Sequence, residues 1–206
     1  MVQGSVQELA RLNTQSRQKA AIITIASGKG GVGKTNITAN LAICLASTGK
    51  KVAVLDADFG LANLDIIFGV SSKYNLSHFI RGTKTLEELA QPACEGVDIF
   101  CGIAGVEQLT HLTDFARERI IGGLEMLAEN YDIVLIDTAA GISKSVLAFC
   151  LAGDQTMLVG SPDPAAITDV YMLMKAMAIH KYKGRISLLV NMAQSDTQGK
   201  KVYKQI

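Results

Sequence analysis

The chain has 206 residues, of which 49% are hydrophobic and 19% are charged, and this composition predicts one packed globular domain rather than a disordered chain. The formal net charge of +1 supplies no overall field for nucleic acid or an acidic membrane, so the sequence carries no strong nucleic-acid signal. No apolar run approaches the ~18 residues that a membrane-spanning helix needs, and no signal peptide is recognisable. Together these features indicate a cytoplasmic protein.

The four cysteines show neither a C-x-x-C pair nor a histidine at metal-ligand spacing, which favours a reduced protein without a metal cluster. Cys44 and Cys150 lie in apolar helical patterns and are predicted to be small core residues. Cys94 and Cys101 lie in a weaker stretch between a loop and a strand.

Residues 1–20 are polar and predict an arm or a short amphipathic helix in front of the main domain, which spans residues 21–206. Strand and helix patterns alternate along that domain. The predicted strands are 21–26, 51–56, 97–102, 132–137, 154–160 and 185–191. The predicted helices are 34–48, 61–68, 85–90, 114–129, 143–151 and 165–181.

Several predicted strands are continuous apolar runs, such as Val52-Ala53-Val54-Leu55, which is typical of parallel strands buried on both faces. The alternation predicts right-handed crossovers and an α/β fold, a single doubly wound, mostly parallel sheet with helices on both faces. A ligand would then lie beyond the carboxyl ends of the strands. Residues 200–206 look like the start of a helix that does not complete, so we expect a C-terminal segment to be missing from this sequence.

A glycine-rich segment follows the first strand and matches the phosphate-loop pattern G-x-x-x-x-G-K-[ST] in full, with a strand before it and a helix after it. Backbone N–H groups of such a loop curl around phosphate oxygens, and the following helix points its N-terminus at the anion. The predicted nucleotide-binding residues of this segment are Gly28, Gly30, Gly31, Val32, Gly33, Lys34, Thr35 and Asn36.

The loop contains two lysines where an ordinary phosphate loop needs one. Lys34 is expected to reach the outer phosphates, and the Thr35 hydroxyl is expected to bind Mg²⁺. Lys29 has no role in that generic scheme, and it therefore separates one kind of nucleotide hydrolase from the rest.

Carboxylates follow two of the predicted strands. Asp56 and Asp58 come after the second strand. Their spacing suits two different roles, in which one carboxylate lies near the Mg²⁺ shell and the other holds a water. Asp137 ends an apolar strand in the Walker B pattern, in which the carboxylate holds Mg²⁺, often through water. Gly141 behind it allows the backbone to move when a γ-phosphate contacts it. The alternative is that these acids only cap turns and helices.

Two residues near the ends of later strands are candidates for contact with adenine. The Asn191 side-chain amide both donates and accepts, so it can read the edge of the base. Pro162 lies in the rigid turn Ser161-Pro162-Asp163-Pro164 and could form a wall of the base pocket. Both positions suit a strand-to-helix cap equally well.

Together these residues resemble the deviant-Walker-A, or MinD/ParA, family of P-loop ATPases, over about residues 20–195. The two-lysine loop, the segment from Asp56 to Asp65 and the segment from Asp137 to Ser143 carry the resemblance. Within the family, the sequence is most similar to the FlhG/FleN-type regulators of flagellar number and placement. That similarity rests on Asn36, Ala140 and the tripeptide Val190-Asn191-Met192.

The resemblance implies ATP or ADP and Mg²⁺ as cofactors and a nucleotide-dependent homodimer. Lys29 would reach across the ATP-bound dimer to the partner's nucleotide and stabilise charge there, as an arginine finger does. ATP would close the dimer, hydrolysis would open it, and turnover by a single subunit would be slow. The other implied roles are phosphate and Mg²⁺ binding for Lys34 and Thr35, positioning of the attacking water for Asp58, and outer-shell Mg²⁺ contacts for Asp56 and Asp137.

The resemblance also implies two kinds of protein partner, a flagellar GTPase of the signal-recognition type and flagellar basal-body proteins. It further implies contact with the inner face of the membrane through a C-terminal helix, and this sequence stops before such a helix. Members of the flagellar group often begin with a D-Q-A-x-x-L-R motif that stimulates the GTPase. Residues 6–12 keep a Gln, an Ala and an Arg but not that order. We therefore do not expect GTPase activation through this arm.

The sequence leaves three alternatives open. A division-site or chromosome-partition ATPase of the same family would differ in its cargo, and a partition protein would need a basic surface for DNA. A metabolic P-loop enzyme such as a nitrogenase-type reductase would need paired cysteines for an iron–sulfur cluster. A nucleotide-sensing scaffold without turnover would not need the complete set of acids.

Overall fold

The computed structural model describes residues 19–60, 62–103 and 113–206. In this part of the chain the strands are β1 (Ala21–Ser27), β2 (Val52–Ala57), β3 (Gln91–Cys94), β4 (Val97–Phe100), β5 (Ile133–Ala140), β6 (Gln155–Gly160) and β7 (Arg185–Val190). They form one seven-stranded sheet in the order β3-β4-β2-β5-β1-β6-β7. Neighbouring strands are parallel except for the antiparallel pair β3–β4.

Helices connect the strands in the described ranges, and a short 3₁₀ turn covers Glu87–Leu89. The α-helices are α1 (Lys34–Ala46), α2 (Leu64–Phe68), α3 (Leu76–Ile80), α4 (Asp114–Asn130), α5 (Lys144–Ala152), α6 (Pro164–Ile179) and α7 (Asp196–Gln205). The predicted doubly wound α/β fold is therefore confirmed.

Hydrophobic clusters on both faces of the sheet form the core. Leu55 of β2 belongs to a buried cluster that includes Leu124 of α4, whereas its neighbour Val54 belongs to a cluster that includes Ala42 of α1. Successive side chains of a strand point to opposite faces, so a strand with helices on both sides is apolar at every position. This explains why the buried strands are continuous apolar runs.

The helices begin at residues that can satisfy their free N–H groups. Thr113, Ser143, Asp163 and Ser195 each accept a hydrogen bond from a backbone N–H in the first turn of the helix that follows. Such caps stabilise a helix by roughly 1 kcal/mol. Helix α1 begins differently, because Gly33 precedes it in the left-handed conformation without a side-chain cap.

Two short elements were not predicted from the sequence. Helix α3 has only five residues, and its capping residue Asn75 accepts from the Ser77 N–H. Strand β3 has four residues at the edge of the sheet and contains Pro92, whose missing N–H confines it to such an edge. Both elements are too short for a hydrophobic period to reveal them.

Several predicted boundaries were wrong. Strand β5 continues past Asp137, because Thr138 pairs with Ala57 and Ala140 pairs with Ser27 on the two neighbouring strands. The last helix begins at Asp196 instead of residue 200. The predicted helix at 61–68 begins only at residue 64, and the one at 85–90 is the 3₁₀ turn.

The cysteine predictions were half right. Cys150 is buried, as expected, but Cys44 is exposed. Helix α1 buries Thr38, Ala39 and Ala42, and a residue two positions beyond Ala42 lies on the opposite side of a helix with 3.6 residues per turn.

Nearly all of the predicted N-terminal arm, residues 1–18 of 1–20, lies outside the described residues. Of the remainder, Ala20 is buried in the core. Within the described part of the chain, no helix combines the length and the apolarity that crossing a membrane requires.

Candidate functional site

The glycine loop between β1 and α1 has a backbone that only glycine tolerates at two positions. Gly31 and Gly33 have φ angles of 78° and 87°, in the left-handed region. At Gly28 the constraint is space, because an added Cβ would lie 2.5 Å from the carbonyl carbon of Asp169 and 2.7 Å from its oxygen. The loop therefore packs closely against α6 at Gly28 and leads into α1 at Gly33.

Asn191, at the carboxyl end of β7, contacts this loop directly. Its Nδ2 donates a hydrogen bond of 2.9 Å to the Val32 carbonyl oxygen, and a Cβ at Gly33 would lie 2.5 Å from the same nitrogen. Asn191 thus fixes the backbone of the phosphate loop. The contact with adenine that the sequence suggested stays a prediction.

Lys34 and Asp137 form a buried ion pair at the base of the loop. Lys34 Nζ lies 2.9 Å from Asp137 Oδ1, and the two side chains are 7% and 1% exposed. The Thr38 hydroxyl lies one helical turn further along α1, 3.1 Å from the same carboxylate oxygen and 3.0 Å from the Lys34 carbonyl oxygen. Two residues of α1, Lys34 and Thr38, thus contact the same oxygen atom of a β5 carboxylate.

The other oxygen of this carboxylate marks a place for a ligand. Asp137 Oδ2 is buried and has no hydrogen-bond partner in the described part of the chain. A buried acceptor without a donor is unfavourable by about 1–3 kcal/mol, and more for a charged group. Water molecules bound to Mg²⁺ would supply the missing donors, and Thr35, half-buried in the first turn of α1, has the hydroxyl to bind the ion. The residues therefore fit Mg²⁺.

The acidic side chains do not surround a metal by themselves. Within residues 19–60, 62–103 and 113–206, no group of three or more His, Cys, Asp or Glu side chains is arranged to hold a metal ion. Mg²⁺ usually keeps several waters and takes one or two protein ligands together with substrate phosphates. The arrangement thus suits an ion that arrives with a nucleotide.

Asp56 is tied to the backbone that follows it. Its Oδ2 accepts from the N–H groups of Asn63 and Leu64 at 3.1 and 3.2 Å, and its Oδ1 accepts from the Asp58 N–H at 3.1 Å. Burial raises the pKa of this carboxyl to about 7, although the hydrogen bonds from Asp58 and Leu64 act in the opposite direction. Asp56 therefore shapes the turn into α2.

The two strand acids lie side by side. Asp56 and Asp137 are register partners on the adjacent parallel strands β2 and β5. The negative charge of Asp137 contributes to the raised pKa of Asp56 after the larger effect of burial. Asp58 is half-buried two residues further on, where the chain has left β2. The carboxylates thus gather at the carboxyl ends of the central strands, as predicted.

Lys29 lies at the surface, in contact with the start of α6. Its Nζ lies 2.9 Å from Oδ2 of Asp163, the residue that caps α6, and the two side chains are 41% and 45% exposed. The Ser27 hydroxyl donates to the Lys29 carbonyl oxygen at 3.0 Å. The two lysines of the loop are therefore separated, one inside the protein and one at its surface.

The segment after Asp137 is joined to the loop strand by hydrogen bonds. The Thr138 hydroxyl donates to the Ile25 carbonyl oxygen at 3.1 Å, and the Gly141 N–H donates to the Ser27 carbonyl oxygen at 2.9 Å. Gly141 has a φ of 102°, which other residues rarely adopt. Because of these hydrogen bonds, a displacement of the backbone at the end of β5 would also displace the backbone of β1 directly before the loop.

Pro162 and Asn191 each line a cavity at this end of the sheet. Pro162 lines a cavity of about 360 Å³ together with Pro164 and Val202. Asn191 lines a different cavity, of about 610 Å³, with residues that include Met192 and Ser195. The two residues follow the neighbouring parallel strands β6 and β7, and their contact with adenine stays a prediction.

Two residues of the site, Thr38 and Asp163, were not predicted from the sequence. Thr38 carries a weak signal, a hydroxyl four residues after the loop lysine on the buried face of an apolar helix. Asp163 carries a stronger one, because Asp before Pro is a common helix start. Neither signal identifies the partner, since Asp137 and Lys29 lie about a hundred or more positions away in the sequence.

Comparison with known proteins places this site in a family. A family profile described as an AAA domain matches residues 20–189. The antiactivator FleN of Pseudomonas aeruginosa is 36% identical over 191 residues, covering 93% of this chain and 68% of FleN. The flagellum site-determining protein YlxH of Helicobacter pylori is 39% identical over 184 residues, covering 89% of this chain and 62% of YlxH. The chain thus spans roughly two thirds of these relatives.

Solved structures agree with this assignment. The septum site-determining protein MinD of Pyrococcus horikoshii, complexed with Mg-ADP, superposes with a TM-score of 0.78 at 27% identity, covering 91% of this chain and 77% of that one. MinD in the MinC:MinD complex of Aquifex aeolicus superposes with a TM-score of 0.75 at 28% identity, covering 89% and 73%. With its two-lysine loop and the acids of β2 and β5, the chain belongs to the deviant-Walker-A, MinD/ParA family of P-loop ATPases and is related within it to FleN and YlxH.

Proposed function

We propose that this chain is an Mg²⁺-dependent ATPase that works as an ATP-driven dimerisation switch in the control of flagellar number or placement. The observation that carries the proposal is the separation of the two loop lysines. Lys34 is buried and paired with Asp137, the carboxylate of the Walker B pattern. Lys29 lies at the surface, where a second subunit could contact it. A hydrolase complete in one subunit would have no use for the second lysine.

Within one subunit, the buried residues would bind and orient the nucleotide. Lys34 would transfer its hydrogen bond from Asp137 to the outer phosphates, and the loop N–H groups would hold the remaining phosphate oxygens. Asp137 and Thr35 would hold the Mg²⁺ shell, which supplies positive charge against the phosphates. Asp58, half-buried beside them, would orient the attacking water.

Between subunits, Lys29 would complete the site. A cation placed at the transferring phosphoryl group stabilises the charge that spreads over its oxygens in the transition state. Because that cation comes from the other copy, hydrolysis depends on dimerisation, and a monomer turns over slowly. Loss of the γ-phosphate would then release Gly141 and its neighbours and open the dimer.

The biological role rests on the relatives. FleN is described as an antiactivator and YlxH as a flagellum site-determining protein, and both are more similar in sequence to this chain than the MinD structures are. We infer a cytoplasmic regulator whose partners are flagellar basal-body proteins and a GTPase of the signal-recognition type. We also propose peripheral contact with the inner face of the membrane.

A division-site role like that of MinD is the second candidate, favoured by the TM-score of 0.78 with MinD. The metabolic alternative is less well supported, because an iron–sulfur cluster needs paired cysteines, whereas Cys94 is exposed and Cys101 is buried in the core. A deletion strain would separate the first two candidates: altered flagellar number or position supports the flagellar role, whereas minicells with normal flagella support the division role.

The switch itself is tested by the molecular mass in solution, measured with ADP, with ATP and with ATP on Asp58→Ala. We expect a dimer with ATP that persists in Asp58→Ala, because the variant binds ATP but does not position the water. A monomer in every state would contradict the switch. A dimer in every state would show that dimerisation does not depend on ATP.

A further inference from the structure

The Thr38 hydroxyl is shared between two acceptors inside the protein. It lies 3.0 Å from the Lys34 carbonyl oxygen and 3.1 Å from Asp137 Oδ1, and the residue is fully buried. A hydroxyl has a single hydrogen to donate, so the two bonds compete for it. In an α-helix a carbonyl oxygen already accepts from the backbone N–H four residues further on. The hydroxyl can therefore turn fully towards the carboxylate without leaving the Lys34 carbonyl oxygen unpaired.

The same carboxylate oxygen has another donor only while Lys34 is folded back onto it. Lys34 Nζ lies 2.9 Å from Asp137 Oδ1. If Lys34 moves to the phosphates of a nucleotide, Oδ1 keeps the Thr38 hydroxyl as a donor. A buried carboxylate without any donor is unfavourable, and the rotation of its carboxyl group is only broadly restricted. A donor fixed on Oδ1 therefore also fixes the direction of Oδ2, which has no hydrogen-bond partner among the described residues.

We propose that Thr38 is a positioning residue that holds the Asp137 carboxylate in place when Lys34 turns to the phosphates, so that Oδ2 stays available to the water shell of Mg²⁺. The inference rests on the proposed function, because it concerns the same Mg²⁺ and phosphate site. The role of the hydroxyl begins when the ion pair between Lys34 and Asp137 breaks. Thr38 acts through Asp137 and not through a contact of its own with the nucleotide.

Helix α1 suits this division of roles because it carries both donors. Lys34 opens the helix, and Thr38 lies one turn later on the buried face that also contains Ala39 and Ala42. The Lys34 ammonium is at the end of a flexible four-carbon stem and can change its partner. The Thr38 side chain is short and β-branched, with few χ1 rotamers in a helix. The stiff donor therefore stays on the carboxylate when the flexible donor leaves.

The substitution Thr38→Val tests this, because valine keeps the shape of the side chain and removes the hydroxyl. The Kd for ADP is measured by calorimetry in excess Mg²⁺ and again with EDTA, under conditions in which each variant is folded. We expect the Kd for Mg-ADP to rise by about tenfold, the lower end of the range for residues that orient metal ligands. The Kd with EDTA should stay close to that of the wild type, because Lys34 and the loop N–H groups bind the phosphates without the ion.

Two further variants separate positioning from stability. Thr24→Val is the matched control, because Thr24 is also fully buried and its hydroxyl donates to the Phe149 carbonyl oxygen of α5 at 2.9 Å. It loses a buried hydrogen bond too, but it should keep the wild-type preference for Mg-ADP over ADP. Thr38→Ser keeps the hydroxyl and should restore that preference. A purely structural role of Thr38 would weaken the binding of ADP equally with Mg²⁺ and with EDTA.

The outcomes are distinguishable. If the wild type prefers Mg-ADP and Thr38→Val keeps the same preference, the holding role of Thr38 is overturned and the proposed ATPase stands. If the wild type does not bind ADP, or binds it equally with Mg²⁺ and with EDTA, the proposed function and the holding role fail together. If Thr38→Ser loses the preference as Thr38→Val does, the methyl group and not the hydroxyl positions the carboxylate, which also overturns the inference.

Discussion

Lys34 Nζ and Asp137 Oδ1 lie 2.9 Å apart in the interior, so the residue expected on phosphate and the residue expected near Mg²⁺ are partners of each other. Neither charge is left alone in the core before a nucleotide arrives, which matters because an isolated buried charge is highly unfavourable. Binding of Mg-nucleotide would then exchange one set of charge contacts for another. The ion pair explains how a site built for a highly charged ligand can fold without it.

Removing one partner of this pair should destabilise the nucleotide-free protein. Asp137→Ala leaves Lys34 buried without a counter-charge, and such a break reduces the free energy of unfolding by about 3–5 kcal/mol. Urea unfolding measures the loss. Glu88→Ala is the control, because Glu88 pairs with Lys84 at 2.7 Å on the surface and should have little effect. Equal losses in the two variants would contradict the buried pair.

Thr38 should matter through its hydroxyl rather than its shape. Thr38→Val keeps the volume but removes a donor from the Asp137 carboxylate, and the loss of a hydrogen bond to a charged group lowers the free energy of unfolding by about 1.5–3 kcal/mol. Thr38→Ser keeps the hydroxyl and removes one methyl group, which is worth roughly 0.8 kcal/mol. Unfolding in urea compares the two variants. A serine variant as unstable as the valine variant would show that packing, not the hydroxyl, is decisive.

Asp56 should make the stability of the nucleotide-free protein depend on pH. Its carboxyl has a pKa of about 7 in the folded state against 3.8 in the unfolded chain, and burial is the main cause. Between these values the native state holds a proton that the unfolded chain has released, so raising the pH favours unfolding. From pH 5 to pH 8 this group removes on the order of 2–3 kcal/mol of stability.

The comparison of wild type with Asp56→Asn isolates that contribution, because asparagine does not titrate. Unfolding curves at pH 5 and pH 8 should show a larger loss in the wild type than in the variant. The difference between the two pH values is compared rather than absolute stability, since asparagine loses one acceptor for the N–H groups of Asp58, Asn63 and Leu64. Equal pH dependence in both proteins would place the pKa of Asp56 near its ordinary value.

The sequence predicted the parts of the site that lie on continuous motifs. The apolar runs of the strands place the phosphate loop, Asp56 and Asp137 near the carboxyl-end edge of a parallel sheet, and the register pairing of Asp56 with Asp137 confirms this for the two acids. Local rules sufficed there, because the carboxyl ends of parallel strands always meet at the same edge. Local sequence patterns also sufficed to predict the long buried strands and helices.

The contacts between distant segments were not predicted. Lys29 with Asp163 and Thr38 with Asp137 depend on how loop, helix and strand pack together, and no period or motif encodes such a distance. Strand β3 and helix α3 escaped detection because four or five residues carry too little pattern. Cys44 was misplaced because a mostly apolar helix hides which side faces the core.

Gly28 should be indispensable for nucleotide binding because it brings the loop into contact with α6. In Gly28→Ala the new Cβ would lie 2.5 Å from the carbonyl carbon of Asp169, so the loop must move away from the helix. We expect the Kd for Mg-ADP, measured by calorimetry, to rise by about fivefold to 150-fold, since overpacking of this kind costs roughly 1–3 kcal/mol.

Gly122→Ala is the matched control for that change, because the same methyl group is added where nothing lies within 4 Å. Gly122 is in the interior of α4, where alanine is favoured over glycine by about 0.5–1 kcal/mol. This variant should bind Mg-ADP as the wild type does and unfold at higher urea. Unchanged affinity in Gly28→Ala would mean that the loop does not need its contact with Asp169 to bind phosphate. Weakened affinity in Gly122→Ala would mean that the effect is not specific to the loop.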